Sequence, residues 1–233
     1  MNNGKMEISK AKTLVAFLII PIELILGNVV KVIDDQLIRV IIVTLLFFTG
    51  FSLAIFLYHD VLKRDWKLFK EHIWRNLLTA IIGLVAAPVI LYGTRFLTQM
   101  LFGATAGGAS GDSTGTTTVR MALITAIASL AALMAPFTEE IIARHALFYQ
   151  FKGRGAVTVL MFFFSAIFFG LIHWNNFNGN VVEMIPYMMM GAWFSLLYLY
   201  SKNIWVSITT HFLFDVMTPV ASIFMLIITI IQH

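Results

Sequence analysis

The sequence predicts an all-α fold, a polytopic transmembrane helical bundle of about 7–8 membrane helices with one amphipathic surface helix. Three observations predict it. The 233 residues are 59% hydrophobic and 12% charged, about half the charge fraction of a soluble domain. Mean hydropathy is +0.87. Apolar runs of about 20 residues, the length that crosses a bilayer, recur along nearly the whole chain, and the short alternating segments of a barrel are absent.

The first run is Thr13 to Ile33. Lysines precede it, as in a signal peptide, but it is too long for such a segment and lacks an Ala-x-Ala site, so it reads as a retained first helix. Further spans are expected at 36–58, 77–101, 119–143, 156–174, 181–200 and 203–231. The last run contains Pro219, so two helices are the alternative to one. Segment 59–76 interleaves Lys63, Arg64, Lys67, Lys70 and Arg75 with Leu62, Trp66, Phe69 and Trp74, the pattern of an amphipathic basic helix at the cytoplasmic surface. Segment 103–118 is rich in Gly, Ala, Ser and Thr and reads as a flexible external loop. No internal repeat or second domain is visible, so residues 1–233 read as a single integral membrane domain.

Net charge is +4 and pI about 9.4, but the basic residues sit in short loops as topology determinants rather than on a nucleic-acid-binding face. With the N-terminus inside, the inner side holds Lys5, Lys10, Lys12, the five of 59–76, Arg144, Lys152, Arg154 and Lys202. The outer side holds only Lys31, Arg39, Arg95 and Arg120. A cytoplasmic N-terminus follows. Cysteine is absent, which excludes a disulfide framework and thiol chemistry.

Chemistry concentrates in three places. Glu139-Glu140-Ile141-Ile142-Ala143-Arg144 puts two acids and a base after a run from Met121 to Phe137 that holds no charge. Ionisable groups in hydrocarbon are functional candidates by default. On a helix, Glu140 and Arg144 share a face in the favourable order, while Glu139 points about 100° away. One acid is thereby neutralised and its neighbour left for other work; a buried ion pair that only joins helices is the competing reading. Phe169-Gly170-Leu171-Ile172-His173 stacks an aromatic beside an imidazole at i,i+4. His211-Phe212-Leu213-Phe214-Asp215 puts His and Asp on one face, a spacing that suits metal ligation or a His–carboxylate pair. Heights along the helices put all three sites inside the bilayer, within about two or three helical turns in depth, a gap left for tilt and kinks to close. Gly108-Ala109-Ser110-Gly111 and Gly111-Asp112-Ser113-Thr114-Gly115 resemble serine-hydrolase motifs, but they lie in a biased loop without the strand and helix such a nucleophile needs. Glu183 is expected at the outer interface, Glu23 has no partner that the sequence identifies, and His145 is assigned nothing.

EExxxR, FxxxH and HxxxD in this order on successive apolar helices resemble the CPBP family of intramembrane proteases, which contains CAAX prenyl endopeptidases and Abi-type bacteriocin-processing and immunity proteins. The resemblance covers a catalytic core of roughly 126–220. It implies an endopeptidase that hydrolyses a peptide bond in a membrane-associated or peptide substrate with Glu/His-activated water. Glu139 would be the general base, His173 its partner, and His211 with Asp215 the bracket of the oxyanion. Glu140 and Arg144, with Phe169, would keep the site assembled. Asp215 donates a hydrogen bond only when protonated; otherwise it orients His211 and oxyanion stabilisation falls on the histidine. The family resemblance implies no metal, although Glu139, His173, His211 and Asp215 are acceptable Zn2+ ligands. A bacteriocin-immunity or regulatory protein that binds a peptide or partner without turnover is the alternative. A transporter is disfavoured by the absence of repeats. Expected partners are a peptide or membrane-protein substrate and the lipid bilayer, with no nucleic acid. The lack of Cys, the short loops and the small size point to a bacterial source and to leader, bacteriocin or signalling peptides rather than prenylated substrates.

Overall fold

The computed structural model describes residues 9–103 and 118–232. The helices are α1 (Lys10–Val29), α2 (Gln36–Glu71), α3 (Ile73–Phe102), α4 (Val119–Ser129), α5 (Ala131–Glu139), α6 (Ala156–Leu171), α7 (Val181–Ser201), α8 (Ile204–Asp215) and α9 (Met217–Gln232), and no strand occurs among the described residues. A 3-10 turn, Val30–Val32, extends α1, a π-helical turn, Glu140–Ala146, follows α5, and a second 3-10 turn covers Tyr149–Phe151. Six of the resulting segments are long and apolar enough to cross a membrane: 10–32, 36–71, 73–102, 119–151, 181–201 and 204–232. The chain is therefore an integral membrane protein. The sequence-based tally was higher because it also counted α6, which is apolar but shorter, and allowed the last run to be split. The segment expected as an external loop lies, but for its two end residues, outside the described residues, as do the two serine-hydrolase-like motifs.

Helix starts follow their capping chemistry. Side chains of Ser9, Asp35, Thr118, Asn180 and Asn203 accept from backbone N–H groups in the first turns of α1, α2, α4, α7 and α8, the donors a helix leaves unsatisfied. Asp35 also accepts from Arg120 at 2.6 Å, tying the start of α2 to that of α4. Its carboxyl is held below the usual carboxylate range by the Ile38 N–H and the Arg120 guanidinium. At the opposite end of α7, Lys202 adopts φ 55 and ends the helix.

Three boundaries differ from the sequence reading. Segment 59–71 continues α2 past a kink at Tyr58 (φ -115, ψ 20). It is two-faced as expected, with Lys63, Arg64, Lys67 and Lys70 exposed. Its inner face of Leu62, Asp65 and Phe69 is buried against protein. Asp65 Oδ2 accepts from Ile204 N at 3.0 Å, its carbonyl from Asn203 Nδ2 at 2.7 Å, and Leu62 O from Trp205 Nε1 at 2.8 Å, so this segment clamps the start of α8. The final run breaks at Val216 between α8 and α9. Pro219 cannot donate to Asp215 O, which removes the ladder bond that would have carried the helix through. The fourth run breaks at Leu130 and widens into the π turn.

In lipid, helices associate through close packing rather than exclusion of water. Here α6 packs on α7, α7 and α8 on α3, and α5 between α2 and α8. Two glycines set the α6–α7 crossing. A Cβ at Gly191 would stand 2.9 Å from Ala166 O and from Phe169 Cβ, and one at Gly170 would overlap Met188. Thr210 Oγ1 donates to Ala80 O at 3.1 Å and Trp193 Nε1 to Gly83 O at 3.1 Å, fixing α8 and α7 to α3. The central cluster joins Ile19 and Ile20 of α1, Ala54 and Tyr58 of α2, Ile141 and Ile142 of the π turn, Tyr198 of α7 and Ile208 of α8. Gly191→Leu should therefore destabilise the fold by about 1–3 kcal/mol through overpacking and displace Phe169. Gly27→Ala, whose Cβ meets nothing within 4 Å, should leave the thermal midpoint in detergent unchanged; equal effects would refute this account of the crossing.

Candidate active site

Glu139 ends α5 and Glu140 opens the π turn. The turn is recorded by Leu147 N donating to Ile142 O, five residues back, at 2.9 Å. Such turns are rare and concentrate at functional sites. Ser165 of α6 donates its hydroxyl to Ala143 O at 2.6 Å, bonding the widened turn to its neighbour.

Glu140 is fully enclosed and committed. Its Oε2 lies 3.2 Å from Arg144 Nε, and both side chains are 0% exposed. Its Oε1 accepts from His211 Nδ1 at 3.0 Å, and the Ser207 hydroxyl donates to Oε2. The Arg144 guanidinium lies over the Phe169 ring at 4.1 Å and near Phe194 at 5.6 Å. Cation–π contact supports a cation whose guanidinium nitrogens have no hydrogen-bond acceptor.

Glu139 turns the other way. Its nearest charged neighbour is His211 Nε2, 3.9 Å from Oε2, beyond hydrogen-bonding distance. The same nitrogen is 3.3 Å from Asp215 Oδ2, so both ring nitrogens of His211 face carboxylates. The imidazole is stacked on Phe194 at 4.7 Å and touched edgewise by Phe169 at 5.6 Å. His173, just past the end of α6, donates Nδ1–H to Phe169 O at 3.0 Å, which leaves Nε2 as its acceptor nitrogen. Its ring lies against that of Tyr187, tilted by 35° with centroids 4.1 Å apart.

Glu139, His173, His211 and Asp215 all line one cavity of about 580 Å³, together with Phe169, Tyr187, Phe194 and an alanine stripe of Ala128, Ala131, Ala132 and Ala135. The four sequence-predicted residues are thus brought together with Phe169, and Glu140 and Arg144 stand behind them. Sequence reasoning missed Ser207, Phe194 and Tyr187. It also missed that Glu23, which had no identified partner, lines the same cavity. His145 sits elsewhere, with Nδ1 2.8 Å from Tyr198 Oη. Among the described residues no group of three or more His, Cys, Asp or Glu side chains converges as a metal site. His211 in particular already faces a carboxylate with each nitrogen.

Residues 121–217 match the family model of the type II CAAX prenyl endopeptidase Rce1-like proteins, a segment that carries all three motifs. An uncharacterized protein of Mycoplasma capricolum subsp. capricolum is 33% identical over 99 residues, 41% of this chain and 28% of that protein. The match therefore spans little more than a quarter of that relative's length. No solved structure matches the chain.

The two adjacent acids should separate in stability measurements. Glu140→Gln leaves Arg144 buried without its counter-ion and should cost about 3–5 kcal/mol. Glu139→Gln removes no hydrogen bond and should melt within about 1 kcal/mol of the parent protein, within the ordinary range of single substitutions. Thermal unfolding of purified protein in detergent reads both, and equal loss for the two would contradict the division.

Proposed function

Because residues 121–217 fall within the CPBP family, as Rce1-like, we propose that this chain is an intramembrane endopeptidase. It hydrolyses a peptide bond in a membrane-associated or peptide substrate, with water activated by Glu139 and His173. The observation that carries the reading is Glu139 itself. It is a carboxyl on a cavity wall in hydrocarbon with no hydrogen bond among the described residues, beside a neighbour that accepts from both His211 and Ser207.

The chemistry needs no group beyond the side chains and water. Glu139 accepts one proton of a water molecule while Nε2 of His173, its Nδ1–H engaged with Phe169 O, accepts a hydrogen bond from the other. The water oxygen attacks the carbonyl carbon, and the proton passes to the Glu139 carboxylate. The oxyanion forms beside His211, whose Nδ1–H stays anchored on Glu140 and whose Nε2–H, on Asp215 in the resting site, turns to the oxyanion as its donor. Geometry favours the orienting role for Asp215 over donation to the oxyanion. As the C–N bond breaks, Glu139 returns its proton to the leaving nitrogen, giving a carboxyl and an amine product. General base catalysis of this kind contributes about 10²–10⁴-fold, and preorganised donors add to it.

Glu139→Gln should lower peptide-bond hydrolysis by at least about 100-fold while the protein still purifies as a folded species, and His173→Ala should do likewise. Comparing secreted and membrane peptides from parent and Glu139→Gln cells by mass spectrometry identifies the substrate. A Glu139→Gln protein with full proteolysis ends the proposal.

We further place the N-terminus in the cytoplasm, with eleven of the sixteen Lys and Arg on that side and Arg144 buried in the site. The absence of native cysteine makes this directly measurable. Asp34→Cys should react with an impermeant maleimide on intact cells and Lys70→Cys only after lysis; the opposite pattern reverses the orientation.

A further inference from the structure

We propose that Glu23 is the substrate-reading residue of the cavity, its carboxyl receiving a cationic side chain, Lys or Arg, of the bound peptide. The inference rests on the peptidase reading of the same cavity and extends it to the chemical class of the ligand.

Glu23 lies on the face of α1 that lines the cavity through Ile20, Glu23, Leu24 and Gly27. Its Oε1 is buried and has no hydrogen-bond partner. The carboxyl rests on α2 at Gly50, where any Cβ would overlap it and stand 2.9 Å from Ile19 Cγ2. Glycine at this one position gives an acid room to stand at membrane depth. Glu23 is near enough to Glu139 for the two charges to act on each other.

The other charged groups of the cavity are already engaged or remote. Arg144 serves Glu140, and His211 stands between Glu140 and Asp215. Lys31 and Arg39 line the far end. Lys31 is eight residues along the first helix from Glu23, about 12 Å, and Arg39 is eleven residues from Gly50 on α2, about 16 Å. His173 has donated Nδ1–H to a backbone carbonyl. Glu23 and Glu139 therefore share an apolar cavity in which His211 stands 3.9 Å from Glu139 and no side-chain cation among the described residues pairs with Glu23.

Intramembrane acids persist where they have a partner, and here the ligand can bring it. A Lys or Arg side chain fits for two reasons. Its apolar stem lies along Ile20, Leu24 and the alanine stripe while its head reaches the carboxyl. An acidic peptide is repelled at the same place, which gives selectivity by exclusion.

The test uses the purified full chain in detergent micelles and fluorogenic apolar peptides, each carrying one Lys, Gln or Glu scanned along its length. Two readouts are taken: kcat/KM with the parent protein, and Kd by fluorescence polarisation with Glu139→Gln, which does not depend on turnover. At the best position Lys should exceed Gln by at least about tenfold. Glu23→Gln should bring that ratio near one, Glu23→Asp should keep part of it, and Glu23→Lys should favour the Glu peptide. Should Glu23→Gln fail to fold, Gly50→Ala displaces the same carboxyl and should lower the ratio; full retention there counts against the proposal. A Lys-to-Gln ratio near one in the parent protein, or one unchanged by Glu23→Gln, overturns it. Absence of cleavage with a Kd ratio that still follows Glu23 would remove the peptidase reading and leave cation recognition standing.

Discussion

The arrangement depends on one buried ion pair. Glu140 and Arg144 are both 0% exposed, and such a pair persists only when close partners offset its desolvation. Ser207 and His211, one helical turn apart on α8, meet the carboxylate, while Phe169 of α6 and Phe194 of α7 cover the guanidinium. Four elements are thereby fixed around one charge pair. The imidazole of His211 is oriented as a by-product of neutralising Glu140, and Phe169 fixes His173 through its carbonyl and ring. The proposed chemistry takes its geometry from a structural interaction.

The same pair accounts for the different fates of two adjacent glutamates. Successive residues on a helix point about 100° apart, so once Glu140 faces Arg144, Glu139 faces the cavity. The π turn begins between them, and the wider winding is held by the Ser165 hydroxyl on Ala143 O. This contact is also the one polar bond drawn between α6 and the turn, so the placement of Phe169 and the register of the motif are coupled.

Legibility in the sequence followed the range of each interaction. Glu140–Arg144, Phe169–His173 and His211–Asp215 are i,i+4 pairs, and each meets in the structure because helical spacing alone decides it. The i,i+4 contact even tolerated replacement of α by π winding. Ser207 and Phe194 were illegible, since a serine and a phenylalanine among many in apolar helices carry no local signal; only the approach of α7 and α8 to the π turn gives them partners. The run 36–58 was cut at its first charges, yet α2 continues to Glu71, because leaving hydrocarbon removes no hydrogen bond from a helix. The break at Val216 was signalled by Pro219, a local effect.

Glu23 shows where local reading ends. Its partnership with Gly50 crosses 27 positions of sequence and exists only once α1 and α2 pair as a hairpin. A glycine whose absent side chain makes room for a carboxylate looks, in sequence, like any other small residue in an apolar run. In the folded chain that pairing aims a second acid at the cavity that Glu139 already lines, with Lys31 and Arg39 toward its far end and His211 held between carboxylates. A cavity in hydrocarbon with acids on two walls is electrostatically incomplete by itself, and this incompleteness, rather than its size or its apolar walls, gives it a preference among ligands.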